Sequence, residues 1–135
     1  MITAVDTNVL IDIFAADATF GERSGRALRT CAAEGRLLAS DVVWAELASV
    51  FPAAADAAAA LETLRVDFSP TEKVTALAAG EAWRAYRAQG GSRTRLVADF
   101  LIGAHAACQA DRLLTRDRGF YRTYFASLDV LDPAA

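Results

Sequence analysis

Ile2-Thr3-Ala4-Val5-Asp6-Thr7-Asn8-Val9-Leu10 opens the chain with a short apolar run that stops at an acid. Ile2–Val5 has the length and composition of a strand buried on both faces. The residues after Asp6 change period: Val9, Leu10 and Ile13 fall on one side of a helix over Asn8–Phe14. A buried strand followed by a helix, with a carboxylate at the joint, is half of a βαβ unit.

The same grammar recurs along the chain. A helix is expected over Glu22–Glu34, stopped by Gly35. Leu37–Ala39 is a second strand. Ser40 or Asp41 caps a helix over Val42–Phe51, and Pro52 opens another that runs through the alanines to Leu64. Arg65–Phe68 is a third strand. Ser69-Pro70-Thr71-Glu72 has the form of a capping box with proline at the first helical position. The helix it opens should reach Gln89 and end at Gly90-Gly91-Ser92. A helix over Ala98–Ala110, a fourth strand over Leu113–Thr115, a short helix near Gly119–Tyr124 and a last strand over Leu128–Leu131 complete the pattern. Short apolar strands alternating with longer helices imply one α/β domain, residues 1–135, built on a parallel sheet with helices on both faces.

Composition narrows the function. The chain has 135 residues, 54% of them hydrophobic. No apolar run approaches the roughly 18 residues of a membrane span, and Met1–Asp6 lacks the basic start of a secretory leader. Cys31 and Cys108 fit neither a disulfide framework nor a zinc spacing. A reduced, cytoplasmic protein is expected. The net charge of −3 hides an asymmetry: residues 84–122 carry +5 and residues 1–83 carry −6. The basic segment suits a polyanion, or else is a solvated arginine-rich face.

Four acids stand out. Asp6 directly follows the first strand and Asp117 follows the fourth by two residues. In open parallel sheets, ligands sit beyond the carboxyl ends of the strands. Glu46 falls inside the apolar arc of Val42, Val43, Leu47 and Val50, where a carboxylate must be paired, protonated or metal-bound. Asp99 lies at the start of a helix whose face is completed by the small residues Gly103, Ala106 and Ala110, which allow a close approach to the sheet. Four such charges in one cleft would repel by about 4 kcal/mol per pair at ~4 Å and an effective dielectric of ~20, so at least one should ionise with difficulty. A hard divalent cation, Mg²⁺ or Mn²⁺, would relieve that repulsion and suits phosphoryl chemistry.

The remaining candidates are weaker. His105 faces away from Asp99 and reads as structural, so a Ser-His-Asp or Cys-His mechanism has little support. Trp83 and Tyr86 read as packing residues. No glycine-rich nucleotide loop or Walker A pattern occurs. A HAD-type phosphatase would need an acid at position 8, where Asn8 stands. A non-catalytic α/β interaction module has no use for the acid at Glu46.

At these residues the chain resembles a PIN domain, and within that family the VapC toxins of bacterial toxin–antitoxin pairs. The resemblance rests on Val5–Ile11, Ser40–Leu47, Ala98–Ala106 and Leu113–Tyr121, which come in the family's order. It implies a parallel sheet ordered 3-2-1-4-5, a Mg²⁺ or Mn²⁺ site, and endonucleolytic cleavage of RNA. The family's four acids fall on Asp6, Glu46, Asp99 and Asp117, with Asn8 and Thr115 as assisting polar positions. It further implies a homodimer held inactive by a VapB-type antitoxin, the gene pair regulating its own promoter. Arg93, Arg95, Arg116 and Arg118 flank the last two acids and are expected near the RNA backbone.

Overall fold

The computed structural model describes residues 1–92 and 95–134. Five strands, β1 (Ile2–Val5), β2 (Arg36–Ser40), β3 (Val66–Ser69), β4 (Arg112–Leu114) and β5 (Asp129–Leu131), form one sheet in the order β3-β2-β1-β4-β5. Every pairing is parallel, with Ala4 opposite both Leu38 and Leu113. This is the expected order. α1 (Thr7–Phe14) and α2 (Gly21–Glu34) link β1 to β2, and α3 (Asp41–Val50) with α4 (Ala54–Thr63) link β2 to β3. α5 (Lys73–Ala88) and α6 (Val97–Gln109) cross back to β4, and α7 (Arg118–Tyr124) leads to β5. The strand order reverses after β3, so right-handed crossovers put α1–α4 on one face and α5–α7 on the other. The reversal leaves a crevice beyond the carboxyl ends of β1 and β4, where this class of sheet binds its ligands.

The central strands are buried because both faces are covered: Ala4, Val5, Leu37, Leu38, Ala39, Leu113 and Leu114 are all inaccessible. Leu47 of α3 and Leu61 of α4 are fully enclosed, each contributing about 1.5–3 kcal/mol by leaving water. The other face is aromatic. Phe100 of α6 is the hub, with Trp83 and Tyr86 of α5 and Phe120 and Tyr124 of α7 ringed about it at 5.2–6.5 Å between centroids. Trp83 and Tyr86 therefore pack, as the sequence suggests. This cluster fixes the start of α6, and so the residue beside Phe100, Asp99.

Several local expectations need correction. Ser69-Pro70-Thr71-Glu72 does not cap α5. Ser69 is the last residue of β3, paired with Ser40, and α5 begins at Lys73 with no side-chain cap. The reason is long-range competition for the polar groups. Ser69 Oγ is bonded to His105 Nε2 at 2.9 Å, and the Thr71 hydroxyl and amide both donate to Asp41 Oδ1, at 2.6 and 3.1 Å. The helix expected from Pro52 starts at Ala54, after a bend. At the far end of α5 the glycines behave as read: Gly90, with φ 76°, donates to Arg87 O and Gly91 donates to Tyr86 O. Those two bonds close the helix as a Schellman motif. Gly103 makes room for a side chain rather than for the sheet, since a Cβ there would stand 2.3 Å from the Phe125 ring.

Candidate active site

Asp6 directly follows β1, and its amide donates to Leu114 O of the neighbouring strand at 3.0 Å. The next residue begins α1, so the side chain caps that helix, Oδ1 accepting from the Thr7 amide at 2.7 Å. Oδ2 accepts from Thr115 Oγ1 at 2.7 Å and from Asn8 Nδ2 at 3.4 Å. The Tyr121 hydroxyl is a further donor to the same carboxylate. Asn8 and Thr115, expected as assisting positions, therefore both touch Asp6. Even so, the carboxyl pKa is pushed up to about 6. Burial is the main cause, and the charge of Glu46 adds to it.

Glu46 sits on α3 across from Asp6. The apolar arc containing it divides in three dimensions. Val43 and Leu47 enter the core, while Val50 is 60% exposed. Glu46 lies at the rim, half-buried, and its Oε1 accepts from Thr7 Oγ1 at 2.7 Å. Thr7 thus holds Glu46 with its hydroxyl and Asp6 with its amide.

Asp117 and Asp99 approach from the other side of the crevice. The turn after β4 places Thr115 and Asp117 together, the Asp117 amide donating to Thr115 Oγ1 at 3.0 Å. The Asp117 carboxylate is paired with Arg95, whose guanidinium lies 4.3 Å above the Phe120 ring. Asp99, in the first turn of α6, accepts from the Leu96 amide at 3.2 Å, so it also serves its own helix. The Tyr121 hydroxyl feels the charges of Asp6, Asp99 and Asp117 at once. Near-complete burial is the main reason that its ionisation is pushed far up, and those charges add to it, so the group stays a proton donor. Among the described residues, however, no three acids, histidines or cysteines close on a single point as a finished metal site would.

The flanking arginines divide. Arg95 is on Asp117. Arg118 pairs with Asp132, Nε to Oδ2 at 3.4 Å, and Arg116 is committed to Asp12 at 2.7 Å. Arg93 lies outside the described residues. His105 is buried on Ser69, and burial lowers its pKa, as a structural histidine requires. Thr7, Asp12 and Tyr121 are contributors that the reading of single residues does not single out. Asp12 carries a signal of the kind that marks Glu46: it follows Val9 by three residues, on the buried side of α1. Tyr121 follows Asp117 by one helical turn.

Known structures share this frame. The structure of VapBC2 from Rickettsia felis bound to a promoter DNA fragment superposes with a TM-score of 0.75 at 20% identity, covering 98% of both chains. VapBC-1 from nontypeable Haemophilus influenzae gives 0.74 at 21%, over the whole of both chains. FitAcB from Neisseria gonorrhoeae gives 0.70 at 22%, over 99% of each. At such identities the likeness is one of fold. No curated protein matches the chain in sequence. The PIN domain family model matches residues 3–126. That span runs from the body of β1 to beyond α7 and takes in all four acids, and with it the chain belongs to the PIN-domain family.

Proposed function

We propose that this protein is a Mg²⁺- or Mn²⁺-dependent endoribonuclease, the toxin of a type II toxin–antitoxin pair. The observation that carries the reading is Asp6: a buried carboxylate at the β1–β4 crevice, oriented by Thr7, Asn8, Thr115 and Tyr121, and raised in pKa by burial and by Glu46. Folds seldom bury an unneutralised anion beside another without a use for it. The surrounding donors are carboxylate and hydroxyl oxygens, a set that fits a hard divalent cation and not zinc or copper. Asp6, Glu46, Asp99 and Asp117 would hold the ion, directly or through water. Bound there, it would lower the pKa of water and offset charge developing on the phosphate.

The protein's own groups do the rest. Thr115 and Asn8 orient Asp6, and Thr7 keeps Glu46 turned toward it. Asp117 completes the site or accepts a hydrogen bond from the attacking water. In-line attack leaves 5′-phosphate and 3′-hydroxyl ends. The amide of Asn8 bonds Asp6 and Thr115 and has no carboxyl proton to give, which counts against HAD-type phosphatase chemistry.

A partner reading goes with this one. The similar structures include a toxin–antitoxin complex and VapBC and FitAB assemblies, one of them bound to a promoter DNA fragment. The corresponding antitoxin would lie across α1–α2 and α3–α4 and direct a basic side chain at the acids, with the toxin as a homodimer. An apolar groove of about 260 Å³ between α1 and α3, lined by Ile11, Phe14, Leu47, Val50 and Phe51, supports that location.

The test is direct. Asp6→Asn, Glu46→Gln and Asp99→Asn should each abolish Mn²⁺-dependent RNA cleavage and growth inhibition, because each removes a ligand and keeps the shape. Wild-type rates in all three would refute the site. A short reading frame immediately upstream, encoding a DNA-binding antitoxin, would support the pairing.

A further inference from the structure

Arg116 stands between Thr115 and Asp117, yet it points away from the crevice. Its Nε and Nη2 donate to Oδ2 and Oδ1 of Asp12 at 2.7 and 3.1 Å. Asp12 is 3% exposed and accepts a third bond from Ser24 Oγ at 2.9 Å. The guanidinium lies 4.1 Å over the Phe20 ring. A two-pronged bond to a buried carboxylate, with an aromatic ring against one face, fixes both the place and the plane of a guanidinium. Asp12 belongs to α1 and Ser24 to α2, with Phe20 just before α2. The turn after β4 is therefore pinned to the helices that follow β1.

That pinning reaches the carboxylates through the main chain. The Arg116 amide donates to Asn8 Oδ1 at 3.3 Å, which turns the other end of that side chain toward Asp6 Oδ2 and Thr115 Oγ1. Thr115 donates to Asp6 and accepts from the Asp117 amide. β4 is only three residues long, so its ladder alone gives the turn little support.

Resting on the nuclease reading above, we propose that Arg116, held by Asp12, is a positioning residue that sets Thr115, Asn8 and Asp117 around Asp6 for cleavage. It is not an RNA-backbone contact. Partners one step removed from a metal centre commonly change affinity or activity by 10–100-fold when lost.

Steady-state cleavage of a single-stranded RNA oligonucleotide with Mn²⁺ tests this, with rates taken per folded molecule. Arg116→Lys keeps the charge but loses the fork, and kcat should fall roughly tenfold. The double variant Asp12→Ala/Arg116→Ala leaves no unpaired buried charge to unfold the chain, and kcat should fall roughly a hundredfold. KM and the salt dependence of RNA binding should stay at wild-type values in both. A salt slope flattened by about one unit with kcat intact would make Arg116 an RNA contact and overturn the inference. A lower melting temperature with wild-type kcat and KM would make the pair a plain strut, with the same consequence. If Arg116→Lys does not fold, the double variant decides. Unchanged variants beside an active wild type overturn this inference alone, whereas a wild type inert on RNA overturns the parent reading with it.

Discussion

Asp6 has four hydrogen-bond donors around it and still resists ionising, because burial outweighs them. Its folded pKa of about 6 lies above the ordinary value of 3.8. The stability it contributes is therefore complete below about pH 4 and is lost as pH rises through 6. A shift of about two units corresponds to roughly 3 kcal/mol. In chelator, the wild type should lose stability between pH 4 and 7. Asp6→Asn should lack that component and melt above the wild type at pH 7. The gain should be about 1–2 kcal/mol, smaller than the full shift, since one amide N–H must face the donors Thr115 and Asn8. Denaturant titrations across the pH range would check this, and a wild type insensitive to pH in that window would contradict it. Tyr121→Phe removes one donor to Asp6 at a stability cost of about 1 kcal/mol. It should weaken Mn²⁺ binding, read by calorimetry, and slow cleavage. Of the four acids, Glu46 is the one that breaks a local rule, as an acid in an apolar arc; Asp6 and Asp117 draw notice only by following strands, and Asp99 in a first helical turn is locally ordinary. Tyr121 and Thr7 break none. An aromatic on a helix reads as packing, and a hydroxyl at a helix start reads as ordinary, until partners distant in sequence give them a second role.

Among the elements, the strands read most clearly. β1 was visible from Ile2 to Val5, since strands covered on both faces leave near-continuous apolar runs. Helix starts were less legible. Ser69 and Thr71 carry the right chemistry for a cap, but His105 and Asp41, 36 and 30 residues away, hold their side chains. No local pattern records that competition. Gly103 shows the same blindness, its close neighbour being Phe125 of the segment after α7. Gly103→Ala should overpack that contact and lower stability by about 1–3 kcal/mol, measured by thermal melts. Because α6 carries Asp99, the variant should also bind Mn²⁺ less tightly. A melting point equal to the wild type's would mean that Phe125 moves aside freely. For α1 and α3, the apolar groove predicts hydrogen-exchange protection on antitoxin binding, over residues 8–34 and 42–64. Protection confined to α5 would count against that interface.

At the scale of the whole molecule, the basic stretch 84–122 spans α5, α6, β4 and α7 in sequence, but Arg112 and Arg116 reach back to Glu34 of α2 and Asp12 of α1. Replacing Arg93 and Arg95 together with Ala should weaken RNA binding and flatten its log–log salt dependence by up to about two units. An unchanged slope would place them elsewhere. The alternation of strands and helices implies a parallel sheet covered on both faces, but its order, β3-β2-β1-β4-β5, is anticipated only by the resemblance to the PIN domain. One feature of that order has a bearing on the protein's synthesis. Asp6 is steadied by Thr115, 109 residues further along the chain, and β1 lies between β2, made early, and β4, made late. A nascent chain that has reached only α6 has no Thr115, Asp117 or Tyr121 to offer its first aspartate. On the nuclease reading proposed above, the ribosome would carry an unarmed enzyme for most of the time it spends making one, and a neutralising partner made earlier would already be waiting when the site closes. A chain stalled at residue 110 should leave a reporter RNA intact.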